Sequence, residues 1–412
     1  MNTPVEPELP TVWLKSPRRF LHPWIFQRLV ERPNQRIPNG ALVRVVDPEG
    51  RFMGSGIYNG HSRIAVRILS NNEAEPLNDA FFEKRINTAV SLRRELLKLD
   101  ACTDAYRVIN SEADGMSGLI VDRFNDLLVL EFFSVGMYRL KDRLIPLLLK
   151  HFPESRIYWF AEEHVQKQES FDCRPPAVTG PCVVTENGLK FRVQPGFKHK
   201  TGFFADQRDN RRRVAGFCEG KRVLDICCNS GGFAVYAASA LGKAKEVIGL
   251  DLDEVALELA RQNAGLNQSR PRWVQADLFP WLRDAIAQKN LFDVVILDPS
   301  KQTRDRDEID LALRRYFDMN RLALQVVQEG GILVSCSCTG LISEADFLEC
   351  IRRASRAAGR ATQVLAIHGA ASDHPYQLQV PEGRYLKVVF LRVMEAGEPM
   401  AAPEQRHQEP EE

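Results

Sequence analysis

The chain has 412 residues, 44% of them hydrophobic and 26% charged, with a formal net charge of +1; this is ordinary soluble composition, and the length is too great for a single hydrophobic core. No apolar run reaches the roughly 18 residues a membrane span needs, and Glu6 and Glu8 sit where a secretory signal would need basic and apolar residues, so a cytoplasmic protein without membrane contact is expected. Nine cysteines, an odd number with no C-x-x-C pair, argue against a disulfide framework and against a zinc or other metal site.

Between about Leu9 and Ser70, turn signals at Pro38-Asn39-Gly40, Asp47-Pro48-Glu49-Gly50 and Asn59-Gly60 separate short apolar runs. Residues 41–46 and 64–69 are rich in β-branched side chains, which predicts a small β-barrel. His22-Pro23-Trp24 reads as an aromatic plug for it. Phe82, Ile86, Ala89, Val90, Leu96 and Leu97 recur near the helical period and predict a helix over 78–99 capped by Asn78. Strands are predicted at 106–110, 119–124 and 127–133 with a hairpin turn at Asn125-Asp126, then a helix over 139–152. Strands at 156–160, 183–184 and 189–193, the last two about Asn187-Gly188, complete a middle α+β unit.

From Lys221 strand and helix alternate: strands at 223–227, 246–250, 273–274, 292–297 and 332–336, helices opening at Gly232 and Glu254, and a long helix ending near Val327. Such alternation builds an α/β, doubly wound parallel sheet. The last strand, 385–393, follows a turn at Pro381-Glu382-Gly383 and suits antiparallel entry. The expected domains are therefore a barrel over 1–77, a linking α+β domain over 78–195, a doubly wound domain over 196–395 and a disordered acidic tail over 396–412. From Glu395 onward six glutamates face Arg406 alone, so the rest of the chain is more basic than its formal charge. Basic clusters at Arg18-Arg19, Lys198-His199-Lys200, Arg211-Arg212-Arg213 and 352–360 read first as solvated faces and second as a nucleic-acid surface.

The turn Asn229-Ser230-Gly231-Gly232-Phe233 follows a strand and opens a helix, a place where backbone N–H groups receive nucleotide-like ligands. Cys227 and Asn229 stand where a pyrophosphate binder would need glycines, which favours a phosphate-free ligand with an amino-acid end, such as S-adenosyl-L-methionine, over NAD. Asp251 ends the next strand and suits ribose hydroxyls; Asp277 ends the third and suits an adenine amino group, with an N-cap before Leu278 as the alternative, and acids at successive strand ends favour a nucleoside pocket. Asp298, before Pro299, falls at the carboxyl edge of its strand or fixes a turn. Strand alternation gives Cys336 and Cys338 one face; Cys338, beyond the apolar run and beside Thr339-Gly340, is expected to be the more exposed. An acid and a thiol at the ends of neighbouring strands suit transfer chemistry on a flat heterocycle, the carboxylate gripping the ring edge while the thiol attacks a ring carbon.

On these residues the chain resembles the family of large-subunit ribosomal RNA cytosine-5 methyltransferases that carry an N-terminal PUA domain. The resemblance runs from His22-Pro23-Trp24 to Arg392-Val393-Met394, and its most specific segments are 196–209, Asn229 to Phe233, Asp298-Pro299, Ser337-Cys338 and Asp373-His374-Pro375. It implies a PUA barrel, a linking domain and a class I methyltransferase domain acting on 23S rRNA. It further implies that Lys200, Thr201, Asp206, Gln207 and Arg208 help close the cofactor site, that Asp225, Asp251 and Asp277 hold the methionine end, ribose and adenine, and that Cys338 is the nucleophile. Asp298 would bind or protonate the base, His374 is a candidate to take the C5 proton, and Lys301 would favour the thiolate if turned inward. The chain departs from the family at Cys336, commonly aromatic there, and at Ser300, usually a second proline. Methylation of a guanine or other ring nitrogen, a non-catalytic RNA-binding factor and an NAD oxidoreductase are the competing readings. Oligomeric state is left open, a homodimer included.

Overall fold

The computed structural model describes residues 8–17, 21–177, 180–194 and 203–395, and the chain divides into two units, Met1–Asn210 with Ala370–Arg384 and Arg211–Gly369 with Tyr385–Glu412. In the first unit β1 (Thr11–Trp13), β2 (Trp24–Phe26), β3 (Leu42–Val46), β4 (Phe52–Tyr58) and β5 (Ile64–Ser70) form one sheet in the order β1-β3-β4-β5-β2. Backbone bonds from Lys15 to Leu29 and from Glu31 to Trp13 close that sheet on itself. Its interior is Val12, Leu14, Ile25, Val30, Val43, Val45, Tyr58, Ala65 and Val66. Trp24 is not among them, which corrects the expected plug: its indole Nε1 donates to Glu112 at 2.8 Å and its ring meets the Arg67 guanidinium. An indole is too large for so small a barrel and keeps a donor needing a partner.

Asn78 accepts from the Phe81 amide and opens α1 (Asp79–Ser91) as expected, but the helix relaxes into a π-helical turn over Leu92–Leu96. That turn brings Arg93 into the interior, where it donates twice to Asp114 (2.6 and 2.9 Å) and to three backbone carbonyls, of Ala89, Arg107 and Asp373. β6 (Ala105–Asn110), β7 (Leu119–Phe124) and β8 (Leu127–Phe132) are antiparallel, with Asn125 left-handed in the two-residue turn. The single helix expected over 139–152 is two, α2 (Val135–Arg139) and α3 (Lys141–Leu149), after a Ser134 cap. β9 (Arg156–Phe160) joins β8 in parallel. Next comes α4 (Glu163–Glu169), and β10 (Cys182–Glu186) and β11 (Leu189–Val193) then pair about a left-handed Asn187-Gly188 turn. Glu169 is buried and receives Ser62 Oγ, Asn59 Nδ2 and Arg67 Nη2, tying α4 to the barrel by charged hydrogen bonds.

Residues 203–210 and 370–384, expected with the C-terminal domain, cluster with the first unit. The cause is a buried latch built on Asp373. Its carboxylate accepts the Arg107 amide (2.9 Å) and Arg208 Nη2 (2.8 Å), while the Ala371 amide donates to the Asp206 carbonyl and Asn110 Nδ2 to that of Pro375. Burial pushes the Asp373 carboxyl up, but the neighbouring His374 and Arg208 outweigh it and hold the group well below the usual aspartate range. A depressed folded value means a contribution to stability that is complete above the unfolded value of ~3.9 and fades as pH falls below it. Asp373→Asn is therefore expected to cost about 3 kcal/mol at neutral pH, and its deficit relative to wild type to shrink below about pH 4, as read from denaturant unfolding at the two pH values.

In the second unit, which α5 (Arg208–Ala215) enters, the alternation is as expected. The elements are β12 (Arg222–Ile226), α6 (Gly232–Ala238), β13 (Glu246–Asp251), α7 (Glu254–Leu266), β14 (Arg272–Gln275), α8 (Leu278–Ala287), β15 (Phe292–Leu297), α9 (Ile309–Val326), β16 (Val327–Ser337), α10 (Glu344–Ala357), β17 (Arg360–His368) and β18 (Lys387–Glu395). The sheet order is β14-β13-β12-β15-β16-β18-β17, with β18 antiparallel to both neighbours. α8, α10 and β17 lie outside the elements predicted. β17 is an edge strand with Val364 and Leu365 exposed, so it lacks the buried alternation that marks a strand, and its arginine at 360 reads as part of a basic cluster. The order reverses between β12 and β15, and a ligand crevice forms outside the carboxyl ends of strands at such a switch point. No described helix is long and apolar enough to cross a membrane.

Candidate active site

β12 ends at Ile226, and the chain then turns through Cys227, Asn229 and Gly231, all with positive φ (61°, 47° and 79°). Two non-glycine residues in this region cost free energy, so the turn is held by its surroundings. The Asn229 amide donates to Asp251 Oδ2 (2.8 Å), the Ser230 amide to Asn229 Oδ1 (2.7 Å), and Asn263 Nδ2, from α7, to the Ser230 carbonyl (2.9 Å). Asn263 was not singled out in the sequence; an asparagine fully buried on a helix face is the signal that it serves a loop. A Cβ at Gly231 would meet the Trp273 ring at 2.5 Å in addition to its unfavourable φ, so glycine is required there. Phe233 is buried and anchors α6.

Asp225, within β12, is fully buried; its Oδ2 accepts the Ala234 amide at 2.9 Å, and Oδ1 has no hydrogen bond among the described residues. Burial pushes this carboxyl well up, and Asp298 and Asp251 add to the rise against a smaller pull from Arg211. An unsatisfied buried carboxylate oxygen is costly and calls for a cationic or N–H partner. Asp251, at the end of β13, also accepts the Asp253 amide through Oδ1. Burial first and then the four carboxylates of Asp251, Asp298, Asp225 and Asp277 push the Cys227 thiol far above its usual range, so these acids converge on one corner and Cys227 is inert. Asp277 is exposed two residues past β14 and caps α8 through the Phe279 amide (2.8 Å), the helix-cap alternative of the sequence reading.

Asp298 directly follows β15, half-buried, its amide bonded to the Ile226 carbonyl of β12 (3.3 Å). β16 lies beside β15, with Leu297 opposite Ser335, so Asp298 and Cys338 leave adjacent parallel strands on one edge of the sheet. Cys336 is completely buried and Cys338 only partly so. Burial pushes the Tyr316 hydroxyl up, and both Cys338 and Asp298 contribute to the rise, which places acid and thiol about one phenol. Lys301 is exposed. Lys387, by contrast, is buried on β18 and donates to the carbonyls of Thr339 (2.7 Å) and Ile342 (2.8 Å), holding the turn after Cys338. Its sequence signal is a cation opening an otherwise largely apolar strand.

Of the remaining expected residues, Lys200 and Thr201 lie outside those described. Asp206, Gln207 and Arg208 are buried in the first unit: Gln207 receives Asn210 Nδ2, and Arg208 is held by Asp373 and Asp209. His374 is buried beside Asp373, with 3.4 Å from Nδ1 to the carboxylate. Among the described residues no group of three or more His, Cys, Asp and Glu side chains is placed to hold a metal.

Comparison with known proteins agrees with this architecture. A PUA-like domain matches residues 18–71, and an S-adenosylmethionine-dependent methyltransferase domain matches 172–364. The ribosomal RNA large subunit methyltransferase I of Aeromonas hydrophila is 38% identical over 380 residues, covering 90% of this chain and 95% of that protein; the Vibrio cholerae protein of the same name is 37% identical over 390 residues, covering 92% and 97%. Among solved structures, one described as an S-adenosylmethionine-dependent methyltransferase from Streptococcus mutans superposes with a TM-score of 0.76 at 19% identity, covering 93% of this chain and all of that one. Another methyltransferase, complexed with SAH, gives 0.77 at 20% identity, covering 93% and 99%. At that identity the likeness concerns the fold, a PUA-like barrel ahead of a Rossmann-like methyltransferase domain. The methyl donor of such a domain is S-adenosylmethionine, and the open Asp225 oxygen beneath the glycine turn fits its ammonium group. With more than a third of its residues shared along nine-tenths of its length, the chain belongs to the ribosomal RNA large subunit methyltransferase I family.

Proposed function

We propose that this protein methylates carbon 5 of a cytosine in 23S rRNA, in the cytoplasm, through a covalent adduct on Cys338. The observation that carries the reading is the half-exposed Cys338 and Asp298 leaving adjacent strands beside the convergent acids of β12 and β13. The names of the relatives supply the substrate class.

Bound S-adenosylmethionine supplies a methyl group on a sulfonium. Asp225 would receive its ammonium group, Asp251 its ribose, the backbone of Asn229 to Gly232 its carboxylate and Asp277 the adenine end. C5 of cytosine is too weak a nucleophile to be methylated directly. The Cys338 thiolate therefore adds to C6, forming an S–C bond, while Asp298 hydrogen-bonds or protonates N3 as charge develops there. The resulting enamine carbon would take up the methyl group, whose bond to the sulfonium would break to leave S-adenosylhomocysteine; a base would then remove the C5 proton, and the S–C6 bond would break to return the thiolate and 5-methylcytosine. The PUA-like barrel adds RNA contact area.

The test is nucleoside mass analysis of 23S rRNA from a strain lacking the protein, and of the same RNA after incubation with it. Methylcytosine with the label on C5 that disappears in the deletion strain is expected; a methyl on a ring nitrogen would overturn the reading.

A further inference from the structure

The loop carrying Asp298 and the loop carrying Cys338 are joined through a buried hydroxyl. Thr339 is completely buried, and its Oγ1 accepts the Gln302 amide at 3.0 Å, four residues beyond Asp298. The same oxygen shares a hydrogen with the Tyr316 hydroxyl at 2.9 Å, and Tyr316, on α9, is completely buried as well. A threonine hydroxyl has one hydrogen and two lone pairs, so it can serve both partners at once. The backbone of Thr339 is also engaged: its amide reaches Ser337 Oγ at 3.4 Å and its carbonyl receives Lys387 Nζ at 2.7 Å. Tyr316 is itself fixed, because Asn320 Nδ2 donates to its carbonyl and Ser335 Oγ donates to Asn320 Oδ1, pinning α9 to β16. Every polar atom of the residue after Cys338 is thus spent on neighbouring elements, while the cysteine beside it faces out. A site residue held this way keeps its sulfur at one reach from Asp298.

We propose that Thr339 and Tyr316 are positioning residues: their shared hydrogen bond sets the separation of the Cys338 thiol from the Asp298 carboxylate and hence the rate of adduct formation. This rests on the covalent reading of Cys338 proposed above. Neither residue touches substrate. The role follows from the geometry of the two loops, since a thiol and an acid acting on opposite edges of one ring tolerate little error in their spacing. Without the Thr339 hydroxyl, Gln302 and Tyr316 lose their common partner and the two loops are free to part.

The test uses the full-length protein and RNA carrying the target site. Thr339→Val keeps the shape and removes the hydroxyl, Thr339→Ser keeps the hydroxyl, and Tyr316→Phe removes only the phenolic oxygen. kcat is expected to fall about 100-fold in Thr339→Val and roughly tenfold in Tyr316→Phe, with KM for RNA and the Kd for S-adenosylmethionine within about twofold of wild type; Thr339→Ser restores most of kcat. The rate of covalent capture by 5-fluorocytosine-containing RNA is expected to fall in the same proportion as kcat. Wild-type kcat in Thr339→Val overturns the proposal, as does a loss shared equally by kcat, KM and cofactor affinity, the mark of a general structural role. If Thr339→Val does not fold, Tyr316→Phe decides alone: unchanged capture rate refutes the proposal. Cys338→Ala assayed in parallel separates the two levels, because an active Cys338→Ala defeats the covalent reading, whereas an inactive one beside a fully active Thr339→Val defeats only this inference.

Discussion

Cys338→Ala is expected to lower methyl transfer to RNA by roughly four orders of magnitude or more while leaving S-adenosylmethionine affinity unchanged. Removing the nucleophile leaves cytosine C5 with its intrinsic weakness, and the neighbouring cysteines do not replace it: Cys336 is sealed in the core, and Cys227, half-buried, lies among acids that keep it a thiol. The substitution removes a partly exposed side chain outside the regular strand, so the unfolding midpoint should stay within about 0.5 kcal/mol of wild type. Cofactor titration by calorimetry beside a tritiated-methyl transfer assay checks both halves. Retained transfer would mean that the methyl acceptor needs no thiol, as a ring nitrogen does not.

The second large effect is expected at Asp225, and there function and stability should move in opposite directions. Its buried Oδ1 lacks a hydrogen-bond partner among the described residues, and burial raises the carboxyl's pKa well above the ordinary aspartate value. Asp225→Asn removes that uncompensated acid, so the cofactor-free protein should be as stable as wild type or more so. Loss of a charge-assisted bond to the cofactor's ammonium should weaken binding by about 2–5 kcal/mol, a factor of roughly 30 to several thousand in Kd. The raised value also gives a pH signature. Below it the carboxyl is protonated in the free protein, and the arriving ammonium favours the charged form, so wild-type affinity should rise as pH rises through that value, with proton release on binding. In Asp225→Asn this part of the pH dependence should vanish. Calorimetry in two buffers of different ionisation enthalpy reads the released proton directly.

The methyltransferase sheet was legible because each of its buried strands is a short apolar run bounded by a turn, and the acids at Asp251 and Asp298 fall directly at strand ends. β17 was not, since an exposed edge strand shows no periodicity and its charges look like surface. The same limit applied to Trp24: its neighbours in sequence suggest a barrel interior, whereas its partner, Glu112, is 88 residues away. Long-range polar contacts of this kind also account for Asp373. Its sequence shows only a neighbouring histidine and proline, whereas the atoms it holds belong to Arg107 and Arg208, and only the folded chain brings them together. At the site itself the reactive types were readable from residue chemistry, while the supports, Asn263, Thr339, Tyr316 and Lys387, were not. Buried polar side chains gain their meaning from what they bond, and local sequence does not carry that information.

The most direct measurement is the intact mass of the protein after incubation with S-adenosylmethionine and a 23S rRNA fragment whose target cytosine bears fluorine at C5. With no C5 proton to remove, an adduct formed there cannot break down, so a species equal in mass to protein plus methylated RNA, with the fragment attached to the peptide containing Cys338, is predicted. Methylated RNA released without any bound species, or a fragment attached elsewhere, would contradict the mechanism.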